Sequence, residues 1–337
     1  MLIDYHAKCI FNFKYQSGNI TLNLPTLSDI QQAESRIREA VHRTPVLRSR
    51  QVDERTGCRV YFKCENFQRV GAFKFRGASN AVFSLSEEDS KNGVATHSSG
   101  NHAQAIALAA KMKNIPAYIV MPENSPEVKK RAVAGYGAEI TFCEPTQQAR
   151  EETLEKVVEN TGSTFIHPYN DPRIIAGQGT SALELLQDYP DTEIILAPVG
   201  GGGLASGTAI AACGMKPEVK VIGCEPEIAD DAYLSFKTGE LQPSKNTQTV
   251  ADGLRTGLGE LTFACLQKHL HSIVTVSEEE IVSAMRYIWE RMNIIIEASC
   301  AVPVAALFND KIEDVKGKNV AIIITGGNVD LDHLPWE

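Results

Sequence analysis

No stretch of the 337-residue chain is long and apolar enough to form a bilayer-crossing helix. The opening residues, Met1-Leu2-Ile3-Asp4-Tyr5-His6, lack the basic start and apolar core of a secretory signal, and they lack the arginines of a mitochondrial one. Positive charge is scarce. Lys and Arg number 33 against 42 Asp and Glu, a formal net charge of -9, which argues against a nucleic-acid binder and against an anionic membrane surface. Paired cysteines are also missing. The 8 cysteines, at positions 9, 58, 64, 143, 213, 224, 265 and 300, stand singly, with no zinc or redox spacing. Several sit in apolar runs, as buried free thiols do, so a reducing cytoplasm is the expected compartment. The histidines form no metal pair, because His269 and His271, two apart, do not share a helical face. HExxH, GxSxG and GxxxxGK are absent, which leaves zincin, hydrolase and NTPase readings without a carrier. No internal repeat or low-complexity tract is present, and residues up to about Pro25 read as an irregular extension of unassigned role.

What is present is an ordinary globular composition, 43% hydrophobic and 22% charged, at a length that suggests two lobes. A first helix is predicted from Ser28 with Gln31, read as a capping box, followed by Ile30, Ala33, Ile37 and Val41 at helical spacing. Residues 60–64 read as a strand. From Gly93 onward strands and helices alternate: strands at 94–96, 117–121, 139–142 and 163–166, and helices at 103–113, from Ser125-Pro126 to Gly135, and at 147–159. A second series follows, with helices at 182–187 and 204–212, strands at 193–197 and 219–224, a helix capped by Ser277 and Glu280, and a last strand at 320–324. Regular alternation predicts an α/β protein with two lobes, each a mainly parallel sheet flanked by helices. The expected division is a large domain from 1–92 and 171–337 and a small domain at 93–170. In this architecture ligands bind beyond the carboxyl ends of strands.

Four segments carry chemistry. Lys74 lies in Gly71-Ala72-Phe73-Lys74-Phe75-Arg76-Gly77-Ala78. A lysine framed by phenylalanines and glycines is poorly explained as a solvated charge, since burial favours the neutral amine that forms a Schiff base with an aldehyde cofactor. On this segment alone that reading stands level with a strand or turn lysine that snorkels to water. Ser98-Ser99-Gly100-Asn101-His102, between a strand and a helix start, supplies more donors than one helix cap needs and suits a carboxylate. Gly200-Gly201-Gly202-Gly203 costs much entropy to order and makes sense where backbone amides curl around a phosphate. The same run admits a competitor: Gly200, Gly202 and Ala205 match a dinucleotide fingerprint, with Glu225 at the required separation, so a nicotinamide dehydrogenase stays open. Glu225 to Asp231 forms an acidic loop whose carboxylates suit a hard cation, although spacing alone does not separate it from a solvated loop.

Lys74 in its frame, the Ser98–His102 run, the glycine tetrad and Thr325-Gly326-Gly327-Asn328 occur in that order, and together they resemble the serine/threonine dehydratase family of fold-type-II pyridoxal-phosphate enzymes. The resemblance runs from about Thr44 to Asp330. It implies the fold of the tryptophan synthase β chain and a homodimer. It implies pyridoxal 5'-phosphate on Lys74, with Phe73 by the ring, Asn101 at its phenolic oxygen, Gly200, Gly201, Gly202 and Gly203 around its phosphate, and Thr325 beside the ring nitrogen. Ser98, Ser99, Asn101, His102, Arg150 and Gly253 match substrate-contacting positions. Glu225, Ala229 (through its carbonyl) and Asp231 match a site for Mg2+ or Ca2+.

The implied reaction removes the α-proton of serine with Lys74 on one face and returns it from Ser99 on the other, interconverting L- and D-serine. Loss of the β-hydroxyl instead gives pyruvate and ammonia, so a dedicated L-serine/L-threonine dehydratase is the nearest alternative. Mammalian members of the family bind ATP at a subunit interface. Lys129 and Asn328 match that pattern, but Arg69, Val70 and Arg50 replace its lysine, threonine and serine, which leaves an ATP effector open. Ser299 and Cys300 also depart from the small, glycine-containing run that usually follows the position of Glu297.

Overall fold

The computed structural model describes residues 22–125, 127–244 and 248–336. Two sheets organise them. The larger has the order β1-β2-β10-β7-β8-β9, with β1 (Val46–Leu47), β2 (Arg59–Cys64), β7 (Ile194–Pro198), β8 (Lys220–Pro226), β9 (Ser272–Val276) and β10 (Asn319–Ile324). Only β1 runs antiparallel, against β2. The smaller sheet, all parallel, has the order β5-β4-β3-β6, with β3 (Val94–His97), β4 (Ala117–Pro122), β5 (Glu139–Cys143) and β6 (Thr164–Phe165). The central strands β7 and β10 are apolar on both faces because helices cover both, as parallel sheets require.

Three helices fix the site relative to the sheets: Lys74–Phe83, Pro172–Asp188 and Gly203–Met215. They approach through paired glycines. A Cβ on Gly177 would lie 2.6 Å from the Gly77 Cα, and one on Gly207 would lie 2.6 Å from the Gly179 amide nitrogen. The Lys74 helix also lends Phe75, Ala78, Ala81 and Val82 to the core of the smaller sheet, so it sits where the two sheets' cores meet.

Several expectations shift. The first helix, Leu27–Ile37, is capped by Thr26 with Asp29 rather than Ser28 with Gln31. Either pair satisfies the box pattern, but only the earlier one closes it. Thr26 N and Oγ1 donate to Asp29 Oδ2 at 2.8 and 2.7 Å, and Ile30, Ala33 and Ile37 are buried. The helix expected at 182–187 begins ten residues earlier, at Pro172 under an Asp171 cap; Gly177 and Gly179, needed for close packing, mask its periodicity. Lys74 opens a helix instead of lying in a strand or turn. The segment after Glu225 is a short 3-10 turn, Glu227–Ala229, and then a helix, Asp231–Thr238, rather than an open loop. Pro126, expected at a helix start, and Cys9 lie outside the described residues, as does most of the expected N-terminal extension.

Candidate active site

Segments following β2, β3, β6, β7 and β10 converge at the carboxyl ends of their strands. Lys74 Nζ donates to the Pro168 carbonyl at 3.1 Å and lies 5.3 Å from the centroid of the Phe73 ring. The residue is partly accessible, but burial of its amine lowers its pKa to about 8, against the opposing charge of Glu297. About a tenth of the amine is therefore neutral at pH 7, far more than for an ordinary lysine.

The strand-to-helix turn after β3 carries Ser98, Ser99 and Asn101, all partly accessible, and the buried His102. Ser98 Oγ accepts from the Gly100 amide at 3.2 Å. Asn101 is committed to other side chains. Its Nδ2 donates to both Glu297 oxygens at 3.1 and 3.0 Å, and its Oδ1 accepts from Asn328 Nδ2 at 2.9 Å. Asn328 Nδ2 also donates to the Val70 carbonyl at 2.7 Å, which ties down a valine at φ 56°, a conformation disfavoured for a β-branched residue. Glu297 is the group that sequence reasoning passed over. Burial raises its pKa to about 7, helped by Asp252, and Asp252 is itself paired with Lys129 at 2.7 Å across the two sheets' segments. Gly253 N donates to Ser299 Oγ at 3.0 Å, placing Gly253 against the Glu297 wall.

The glycine run after β7 forms a close-fitting turn. Gly202 has φ 84°, a left-handed conformation that suits glycine, and opens the helix Gly203–Met215, whose first amides have no intrahelical partner. A Cβ on Gly201 would meet the Tyr169 ring at 2.4 Å, so glycine is required for the close approach. Tyr169 was not anticipated either. It follows Pro168 in the segment after β6, and its ring lies 4.6 Å from that of His167. The available signal was position alone: His167-Pro168-Tyr169-Asn170 comes directly after a strand, where ligand loops fall.

Three histidines line the smaller-sheet side in neutral form. Burial lowers His97 to about 4 and His167 to about 3, and it holds His102 well below the ordinary range, with Lys74 and His167 adding to the effect. Arg150 stands near enough to His97 for its charge to be felt there, and its buried Nε meets no hydrogen-bond acceptor. Glu225 and Asp231 follow β8, and the charge of Asp231 is felt at Tyr169. Glu225 Oε1 and Oε2 accept from the amides of Ala232 and Tyr233 at 3.0 and 2.8 Å, capping the Asp231–Thr238 helix. Burial, followed by the charge of Asp231, raises Glu225 to about 9, and burial raises Asp231 to about 6. Asp231 Oδ2 is buried and meets no donor. Among the described residues no cluster of three or more His, Cys, Asp or Glu side chains is set to hold a metal; the expected set has two carboxylates and a carbonyl.

Beneath the site lies a fully compensated charge network. Arg76 donates to Glu65 at 2.7 and 2.9 Å and to Glu184 at 2.8 and 2.9 Å, and Lys63 donates to Glu184 at 2.6 Å. All four side chains are buried.

Comparison with known proteins identifies the arrangement. Residues 37–326 match the family described as pyridoxal-phosphate dependent enzyme. The chain is 49% identical over 313 residues to the beta-hydroxyaspartate dehydratase of Paracoccus denitrificans, covering 93% of this chain and 99% of that protein. It is 47% identical over 309 residues to the L-threo-3-hydroxyaspartate ammonia-lyase of Saccharomyces cerevisiae, covering 91% and 94%. The crystal structure of serine racemase from Dictyostelium discoideum superposes with a TM-score of 0.87 at 47% identity, covering 91% of this chain and 99% of that one.

Proposed function

Because the chain belongs to the pyridoxal-phosphate-dependent enzymes, we propose that it racemises serine, interconverting the L and D forms, and also dehydrates serine and threonine to a 2-oxo acid and ammonia. Membership in that family sets aside the nicotinamide reading of the glycine run. One observation carries the proposal: Lys74, the expected anchor, presents a buried amine lowered to about 8. The residues fit the cofactor. Gly201 leaves no room for a side chain beneath Tyr169, and the turn it belongs to opens a helix amino terminus suited to phosphate. Phe73 stands beside Lys74, and Thr325 is tied to the same stretch through the bond from Phe73 N to its carbonyl at 2.9 Å.

Pyridoxal phosphate, when bound, supplies an electron sink for the bond broken at the α-carbon. The chain's own groups move the protons. Lys74 Nζ takes the α-proton on one face, and Ser99 Oγ gives or takes one on the other, so inversion follows from two bases of opposite approach. Ser98 and His102 receive the substrate carboxylate, with Asn101 joining them as its Nδ2 gives up one of its two bonds to Glu297, and Gly253 borders the reacting carbon. Glu225, the Ala229 carbonyl and Asp231 hold Mg2+ or Ca2+, a reading supported by two buried carboxylates that burial alone disfavours. The proposed working form is a cytoplasmic homodimer. ATP is left outside the proposal, since Asn328 is already bonded to Val70 and Asn101 and three positions of the pattern differ.

Incubation with L-serine followed by chiral analysis tests the proposal. D-serine together with pyruvate is expected, whereas pyruvate without D-serine would reduce the enzyme to a dehydratase. A second reading, ammonia loss from 3-hydroxyaspartate, is favoured by the two relatives named for that chemistry and by Arg150, whose unpartnered Nε suits a second carboxylate. Turnover of 3-hydroxyaspartate far above that of serine, lost in Arg150→Ala, would favour it.

A further inference from the structure

We propose that His167 is a positioning residue for Lys74: its ring holds one end of the peptide group whose other end receives the lysine amine. The inference rests on the reading of Lys74 as the cofactor's attachment point. His167 follows β6, in the segment that leads to the helix Pro172–Asp188. Its Nδ1 accepts from two backbone amides, Tyr169 N at 3.2 Å and Asn170 N at 2.9 Å. The peptide joining Pro168 to Tyr169 is trans, so its N–H and C=O point in opposite directions within one plane. The N–H of that unit goes to His167, and its carbonyl accepts from Lys74 Nζ at 3.1 Å. Fixing one end therefore fixes the direction of the other.

Both amides need a lone pair on Nδ1, which puts the ring's proton on Nε2. Burial first, then His97 and Lys74, lowers the ring to about 3 against the opposing charge of Asp171. The acceptor is thus intact throughout the neutral range. A carboxylate could accept the same amides, as Asp does in turns, but its charge would favour the ammonium form of Lys74. The imidazole accepts without adding charge, so the amine stays lowered to about 8.

Other anchors hold the neighbours of this peptide. The Tyr169 ring packs over Gly201, where a Cβ would lie 2.4 Å from it, and Asn170 Oδ1 accepts from Leu261 N and Thr262 N at 3.0 and 3.4 Å. Among the described residues the Pro168 carbonyl is the one hydrogen-bond acceptor that Lys74 Nζ meets. The lysine stem is long and flexible, so the direction of this carbonyl sets where the amine's lone pair points. His167 thus acts on Lys74 through the peptide between them.

Two variants separate acceptance from packing. His167→Phe keeps a ring against Phe165 and Tyr169 but has no acceptor, and His167→Asn has a side-chain oxygen that accepts the amide two residues on. The readouts are the stopped-flow rate of pyridoxal phosphate attachment per folded apo chain, the melting temperature, and the 15N spectrum of histidine-labelled protein. His167→Phe should slow attachment about threefold to tenfold, the effect of one lost hydrogen bond, and His167→Asn should stay within about twofold of wild type. The spectrum should place the His167 proton on Nε2. A lower melting temperature in His167→Phe with an unchanged attachment rate overturns the positioning role, as does the reverse order of the two variants or a proton on Nδ1. In each of those cases wild type still attaches the cofactor at Lys74, and the reading of Lys74 survives; a wild type that attaches none there overturns both. Should His167→Phe fail to fold, His167→Ala takes its place. If neither folds, the 15N spectrum decides, because a proton on Nδ1 contradicts the proposal and one on Nε2 supports it.

Discussion

Lys74 and Arg76 stand two residues apart in the first turn of one helix, and they solve burial in opposite ways. Burial works against the charge of Arg76, but Glu65 and Glu184 outweigh it and hold the guanidinium charged. The amine of Lys74 has Glu297 as a distant opposing charge and no carboxylate in contact, so burial prevails and lowers it to about 8. Around Arg76 every charge has a partner within hydrogen-bond distance. Around Lys74, the His102 ring nitrogens and Arg150 Nε have none of good geometry, and Glu297 is raised to about 7. A compensated network holds a helix in place, and an uncompensated one leaves groups ready for a ligand.

Exchanging the two residues' fates breaks the comparison most severely. Lys74→Ala should abolish both racemisation and dehydration, as read by chiral chromatography and pyruvate release, while the apo protein melts near the wild-type temperature. Glu184→Gln should do the reverse. Removing one partner of a buried ion network costs about 3–5 kcal/mol, visible as a lower urea midpoint, with activity per folded molecule retained. Equal destabilisation by both variants would erase the distinction.

Ser99→Ala should cut racemisation at least ~30-fold and elimination much less, the signature expected when one of two bases is removed. Equal losses in the two reactions would show that Ser99 merely shapes the site.

The next effect is graded by pH. The lysine pKa of about 8 in the folded chain lies below its ordinary 10.5. Below about pH 8 both folded and unfolded chains hold the proton, and the cost of burying the ammonium is present in full. Between about 8 and 10.5 the folded amine is neutral while the unfolded one is charged, so this part of the cost is relieved. Because the neutral amine is the nucleophile, the rate of covalent cofactor attachment to the apo protein should climb about tenfold per pH unit below 8 and level off above it, as followed by stopped-flow absorbance. A rise continuing to pH 10.5 would mean that the amine is not depressed.

The smallest effect concerns Glu225 and Asp231. Millimolar Mg2+ or Ca2+ should raise the melting temperature of wild type by a few degrees through binding to the folded state alone, and Glu225→Gln should lose that increment. An equal rise in both proteins would place the ion elsewhere.

The sequence exposed what is local in the chain. Gly200 to Gly203, the serine-rich turn and the framed lysine are each contiguous, and their chemistry can be read from neighbours in sequence. Glu297 is different. It sits in Ile294-Ile295-Ile296-Glu297-Ala298-Ser299 with no local pattern, and it meets Asn101 across 196 positions. The pairings of Lys63 and Arg76 with Glu184 span 121 and 108 positions and leave no periodic trace. The helix at Pro172–Asp188 was underestimated because the glycines that lower helical propensity are the ones that let it pack closely. The cap of the first helix was misplaced because two overlapping motifs satisfied one rule, and backbone geometry chose between them.

The central claim is that the Lys74 amine, lowered by burial to about 8, is the covalent attachment point for pyridoxal phosphate. Loading the protein with the cofactor, reducing with borohydride and mapping the modified peptide by mass spectrometry tests it directly. The account predicts one stable pyridoxyl label per chain, on Lys74, with the yellow absorbance lost on reduction. A label on another lysine, or none on a protein that still turns over serine, would contradict it.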